Sequence, residues 1–287
     1  MLSKVSKIFN FRNPRCFTLI SNNLLAVASS LIIIIYDLNN QKPENTIKAH
    51  ESLIYSLLKP KKKNIFLSSS EDKTIKVWSI ENYSNIYIFS DHTNSIISLN
   101  QSSINEDEII SCSADTTIHF YNLSTFQCGK IFKDTTKVFF ALDTQRDQLI
   151  SIGFTSNIKI WDIKTQKQTH ILKGHDSLVY CFRYINKRNY IISVSEDKTV
   201  KFWNLTNYEC IFTSTLYEHC LNYIINLIDN YCAISDNEGY VIIINIETKQ
   251  IISTIKTDDN MSIYSLEFYD KKIYYNTNKG VYMINTN

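Results

Sequence analysis

A motif about forty residues long recurs along this chain. Three copies align without gaps: SSSEDKTIKVWSI (68–80), SCSADTTIHFYNL (111–123) and SVSEDKTVKFWNL (193–205). SIGFTSNIKIWDI (151–163) keeps the frame with fewer of the polar residues, and fainter copies end in IIIIYDL (32–38), VIIINI (241–246) and GVYMIN (280–285). Anchors fall at Tyr36, Trp78, Tyr121, Trp161, Trp203, Ile244 and Met283, separated by 42, 43, 40, 42, 41 and 39 residues. Units this small cannot bury an apolar face alone, so they must stack on one another.

Within each step, short runs with β character are joined by polar turns. In the second copy these are LIYSLL (53–58), NIFLSS (64–69), TIKVW (74–78) and NIYIFS (85–90). Four short strands per unit, with turn signals every 8–12 residues, indicate all-β structure. No stretch sustains a helical period. Four-stranded units repeated radially make a propeller, which leaves only short, protected edges. The expectation is a single all-β domain over 1–287, a seven-bladed β-propeller of four-stranded antiparallel blades. Its approximate units are 12–47, 48–90, 91–132, 133–172, 173–213, 214–255, and 256–287 plus 4–11.

Composition narrows the function classes. A net charge of +2 gives no global field toward nucleic acid or membrane. The seven cysteines are scattered, with no CxxC pair and no Cys–His cluster at zinc spacing, which reads as reduced thiols inside a cell. The start MLSKVSKIFNFRNP has no apolar core of a signal peptide. The one long apolar run, Leu24 to Tyr36, is too short to span a bilayer and fits two inner strands around a turn. These features predict a cytoplasmic or nuclear protein without membrane insertion. There is no phosphate-binding glycine loop, HExxH or GxSxG, so no catalytic residue, metal, cofactor or small-molecule substrate is expected.

The repeat resembles the WD-repeat family. Gly174-His175, Ala49-His50 and Asp91-His92 match the Gly-His signature near the start of a unit, and Trp161-Asp162 matches the closing Trp-Asp. Tyr36-Asp37, Trp78-Ser79, Tyr121-Asn122 and Trp203-Asn204 are close variants. The resemblance implies a structural tetrad of His, Ser, Asp and Trp, and its spacing holds three times. The sets are His50, Ser68, Asp72 and Trp78; His92, Ser111, Asp115 and Tyr121; and His175, Ser193, Asp197 and Trp203. A buried indole and a buried imidazole need partners, and Ser and Asp complete the set, so the reading is structural rather than a hydrolase triad. The fourth unit departs, with Thr155 at the Asp position and Asp134 near the His position; the sixth has Glu238 and Ile244. The resemblance also implies ring closure by an N-terminal strand, Lys4 to Phe11, completing the last blade.

In such propellers partners meet the end of the blades that carries the turn between strands two and three. The residues aligned to point there are Phe17, Tyr55, Ile97, Phe139, Tyr180 and Tyr264, with Tyr223 as the sixth-unit candidate. Aromatic residues are enriched at binding hot spots. Acidic groups on the same turns and loops are Glu71, Asp115, Asp134, Asp176, Glu196, Glu238, Asp258 and Asp259. The opposite loops carry Lys59 and a basic patch of Lys61, Lys62, Lys63, Lys187, Arg188, Lys271 and Lys272, interrupted by Glu106, Asp107 and Glu108. Such a patch either contacts RNA phosphate or serves as a solvated rim. The first reading is a non-catalytic protein-interaction scaffold or adaptor, a propeller subunit of a multi-protein complex. The alternative is a ribonucleoprotein or ribosome-associated scaffold that contacts RNA through the basic loops.

Overall fold

The computed structural model describes residues 2–10, 14–144, 146–215, 217–228, 230–257 and 260–286. Phe11, Asp258 and Asp259 of the sequence reading lie outside them. The described residues form 28 strands and one short 3-10 turn, Asn186–Arg188. The strands make seven four-stranded antiparallel sheets, six of them meanders of consecutive strands. This is a seven-bladed β-propeller. Blades one to six take their strands from 14–48, 54–89, 96–133, 138–172, 179–214 and 221–256. The seventh takes three strands from 265–286, and its fourth is the first strand of the chain, Leu2–Asn10, which pairs antiparallel with Gly280–Thr286.

The strand sequences follow from where each strand sits in its blade. Second strands read LLAVAS (Leu24–Ser29), IFLSSS (Ile65–Ser70) and YIISVS (Tyr190–Ser195), and almost every side chain in them is buried. A strand covered on both faces needs a continuous run of small and apolar residues rather than alternation. Fourth strands read KPENTIK (Lys42–Lys48) and NIYIF (Asn85–Phe89) and are largely exposed. Their outer edges meet solvent, where charge and proline discourage pairing with another chain.

Two compact units are resolved, Arg15–Ile171 and Met1–Pro14 with Leu172–Asn287. In the first, apolar clusters join blades one and two (Ala26, Ile33, Ile54, Phe66, Trp78) and blades three and four (Ile110, Phe132, Val138, Trp161). In the second, clusters join blades five and six (Val194, Phe202, Ile224, Ile234) and blades six and seven (Ile243, Leu266, Tyr275, Ile284). The cores are thus sheet-on-sheet interfaces, and each inner side chain is buried by the next repeat.

The register corrects one anchor. Phe66 pairs with Trp78, Leu149 with Trp161 and Ile191 with Trp203, and the equivalent pair in the seventh blade is Ile273 with Ile284. Ile284 is buried, whereas Met283 is only partly so. A one-residue slip flips a strand side chain to the other face, so Met283 cannot stand in for the tryptophan.

Candidate functional site

Buried polar networks decide which groups are spent on the fold. In blade two, His50 Nε2 lies 2.7 Å from Ser68 Oγ and its Nδ1 lies 2.8 Å from Asp72 Oδ2. Trp78 Nε1 donates to the same Ser68 oxygen at 2.9 Å. Blade five repeats this at 2.7, 2.7 and 2.8 Å with His175, Ser193, Asp197 and Trp203. Because Ser Oγ accepts the indole N–H, its own proton goes to His Nε2, and His Nδ1–H then donates to the carboxylate.

The turn residues prepare this arrangement. Ser70 Oγ accepts the Asp72 amide at 3.0 Å, and Thr74 donates both N–H and O–H to Asp72 Oδ1. Lys73, Thr116 and Lys198 take positive φ in the turns that follow Asp72, Asp115 and Asp197. Burial alone would raise the Asp72 carboxyl, but hydrogen bonds from Thr74, His50 and the Glu51 amide hold it below its usual range. Burial pushes His50 and His175 down despite their carboxylate neighbours. The connectivity is that of a hydrolytic triad, yet Ser68, Ser111 and Ser193 are 0% exposed and out of a substrate's reach.

Blade three extends the network. His92 bonds Ser111 and Asp115 at 2.7 Å each, and Tyr121 replaces the tryptophan. The Tyr121 hydroxyl lies 3.1 Å from His119 Nδ1, and Thr117 Oγ1 lies 2.9 Å from His119 Nε2. The His119 ring stacks on His92 with centroids 3.9 Å apart. Burial, then the His92 charge, push His119 down to about 4.

Blade four solves the same problem with different residues. Trp161 still donates to Ser151 Oγ at 2.8 Å. In place of the histidine, buried Asp134 forms an ion pair with buried Lys159. Asp134 also accepts the amides of Thr135 at 2.5 Å and Thr136 at 3.1 Å. Lys159 occupies the strand position held by Lys76, His119 and Lys201, two residues before the anchor. Asp134 is therefore turned into the blade and does not join the acidic surface that the sequence suggested.

The outward-facing positions are set by a β-bulge. In blades two to six, the first strand slips register between Ile54/Ser56, Ile96/Ser98, Val138/Phe140, Val179/Cys181 and Leu221/Tyr223. The extra residues are Tyr55, Ile97, Phe139, Tyr180 and Asn222. A bulge leaves its extra residue outside the ladder and re-aims the side chain. Four bulge residues were aligned to this role from sequence. In blade six the position belongs to Asn222, whose Nδ2 donates to Ser262 Oγ at 2.9 Å and to Ile263 O at 3.2 Å. Tyr223 sits in the ladder opposite Ser235 and packs against Arg183, whose guanidinium lies 5.2 Å from the Tyr223 ring centroid. Tyr264 precedes its strand and is 48% exposed.

Phe17 is a correction: only 4% exposed, it belongs to the core. Arg15 is the exposed residue of that strand, and its guanidinium lies 5.4 Å from the Tyr55 ring centroid. Pro14-Arg15-Cys16-Phe17 reads in the frame of Ile54-Tyr55-Ser56-Leu57, with Pro14 as the first buried residue.

Among the acids of these turns, Glu71 accepts the Ser52 hydroxyl at 2.5 Å. Glu196 accepts the hydroxyls of Ser177 at 2.5 Å and Tyr180 at 3.3 Å. At the opposite blade ends, Lys62 pairs with Glu106 at 3.0 Å, Lys63 with Asp107 at 2.5 Å, and Arg188 with Glu247. Lys59 Nζ is spent on the carbonyls of Pro60 and Lys63. The lysine-rich loop of blade two is thus largely balanced by blade three. Lys61, Lys187 and Lys271 are exposed and Lys272 is half-buried. Among the described residues, no group of three or more His, Cys, Asp or Glu is placed to hold a metal ion, and no helix is long and apolar enough to cross a membrane.

Forty-residue blades whose tryptophans are tied to buried Ser–His–Asp chains define a WD-repeat β-propeller. The WD domain, G-beta repeat family model matches residues 41–79, 83–122 and 166–204, so the chain carries WD repeats. Among similar chains, a transcriptional corepressor, LEUNIG_HOMOLOG of Arabidopsis thaliana, is 23% identical over 223 residues, covering 73% of this chain and 28% of that one. Pre-mRNA-processing factor 19 homolog 2 of the same plant is 26% identical over 179 residues, covering 60% and 34%. The WD repeat-containing protein 89 homolog of Dictyostelium discoideum is 26% identical over 250 residues, covering 79% and 67%. The chain thus spans 28% and 34% of the length of the first two relatives.

Proposed function

We propose that this chain is a non-catalytic scaffold or adaptor, a propeller subunit of a multi-protein complex in the cytoplasm or nucleus. The observation that carries this reading is the bulge position. It turns Tyr55, Phe139 and Tyr180 out of their ladders, and Tyr264 stands exposed at the matching place. Rigid aromatic rings presented by a stiff sheet bury large areas on binding at low entropic cost. The buried Ser–His–Asp chains, by contrast, are occupied in holding blades two, three and five. Relatives described as a corepressor and a pre-mRNA-processing factor support work in assemblies. The RNA reading is weakened by the ion pairs of Lys62, Lys63 and Arg188, since a paired cation releases few counterions.

The test is affinity purification of the tagged chain beside a Tyr55→Ala/Tyr180→Ala variant, with mass spectrometry and RNA sequencing of what co-purifies. A defined protein set lost by the variant is expected. An RNA-containing particle recovered equally by both would overturn the choice of surface and favour the basic loops.

A further inference from the structure

Blade four presents a surface that no other blade repeats. Its turn between strands two and three carries Phe154 where blades two, three and five carry Glu71, Ala114 and Glu196. Phe154 is 52% exposed, more than Tyr264 at 48%. Its centroid lies 4.0 Å from that of Phe139, the bulge residue of the same blade, with the rings tilted by 49°. The Lys137 ammonium stands 5.8 Å from the Phe154 ring centroid.

The backbone under these side chains is tied from both ends. Phe154 N–H donates to Lys137 O at 3.2 Å. A Cβ on Gly153 would stand 2.3 Å from that same Lys137 oxygen, so only glycine allows the two loops to approach this closely. On the other side, Asp134 gathers the Thr135 and Thr136 amides and is itself locked by Lys159. The backbone that carries the two rings is thereby held in place before anything binds, which removes part of the ordering cost of association.

Charge selects the occupant. Asp134, the nearest carboxylate in sequence, is turned inward and engaged, and among the described residues no carboxylate pairs with Lys137. An exposed ring backed by a half-buried one, beside an uncompensated ammonium, asks for an apolar side chain next to a negative one.

We propose that Phe139, Phe154 and Lys137 form a subsite for an extended acidic peptide of a partner protein. A large apolar side chain of the peptide packs on the two rings, and an adjacent carboxylate meets Lys137. This rests on the interaction-scaffold reading and adds to it the chemistry of one partner.

The probe is a library of random linear heptapeptides displayed on phage and selected on the full-length chain. Enriched sequences are expected to place Phe, Trp or Leu within two residues of Asp or Glu. A resynthesised winner should bind Phe154→Ala and Lys137→Glu at least about tenfold more weakly, the scale of a lost hot-spot side chain. Selection on Lys137→Glu should replace the acids with Lys or Arg. Both side chains lie at the surface, so the variants should keep the melting temperature of the parent. No enrichment, winners without the apolar–acidic pair, or winners that bind both variants within twofold would overturn the proposal. If such winners lose affinity only in Tyr55→Ala/Tyr180→Ala, the scaffold reading stands and this subsite falls.

Discussion

Replacing Asp134 with alanine isolates what blade four gained by abandoning the histidine. The carboxylate is 3% exposed and its Lys159 partner 9%, so neither charge has water to fall back on. Removing one member of a buried pair costs about 3–5 kcal/mol, because the remaining charge stays desolvated. Asp134→Ala also frees the Thr135 and Thr136 amides, so the upper part of that range applies. Lys159→Met strands the carboxylate, but those two amides still donate to it, and the cost drops to about 2–3 kcal/mol. The double variant removes both charges and leaves only the two amides to be hydrated, about 1–2 kcal/mol. The two single costs should therefore sum to about 4 kcal/mol or more above the double in a double-mutant cycle. Urea unfolding followed by tryptophan fluorescence reads this directly, at a slope of roughly 3 kcal/mol/M. Asp134→Ala should lower the midpoint by about 1 M or more. If the two single effects add to within about 0.5 kcal/mol, the pair is not coupled and the account of blade four fails.

Three further outcomes follow from the same geometry. Trp203→Phe removes the indole N–H held by Ser193 at 2.8 Å and opens a small cavity, and should cost about 1–3 kcal/mol in urea unfolding. An unchanged midpoint would show that the bond carries no stability. His119 is held near 4, and His50 and His175 below their ordinary value, so the unfolded chain takes up protons first as pH falls. Stability should therefore decline from about pH 6.5 downward, with His119 alone contributing on the order of 2 kcal/mol after allowance for solvent screening. Urea midpoints equal at pH 7 and pH 4.5 would contradict this, and His119→Gln should flatten the slope. Deleting residues 2–10 bares the ladder edge of Gly280–Thr286, so the melting temperature should fall by several degrees and sedimentation should show self-association.

The forty-residue period, the strand count per unit and the three polar sets are local patterns, and they were legible before any coordinate. Alternation, turn chemistry and fixed spacing depend on neighbours in the chain, which is what a sequence displays. Tyr55, Ile97, Phe139 and Tyr180 fall at the bulges, and each is visible in the sequence as the residue after the first apolar position of its strand. Phe17 lies two positions past Arg15 and Met283 one short of Ile284, because an irregular unit gives no internal mark of register, and at Met283 the single slip exchanges inside for outside. The partners of Lys159, His119 and Phe154 lay further out of sight. Lys159 reaches Asp134 across 25 residues, His119 stacks on a ring from the loop that enters its blade, and Phe154 meets Phe139 through a bulge. Sequence by itself determined the architecture and the network residues of the regular blades. Only the tertiary structure decided which charges were buried and paired, and which rings were left for a partner, because burial and pairing are properties of the space between strands.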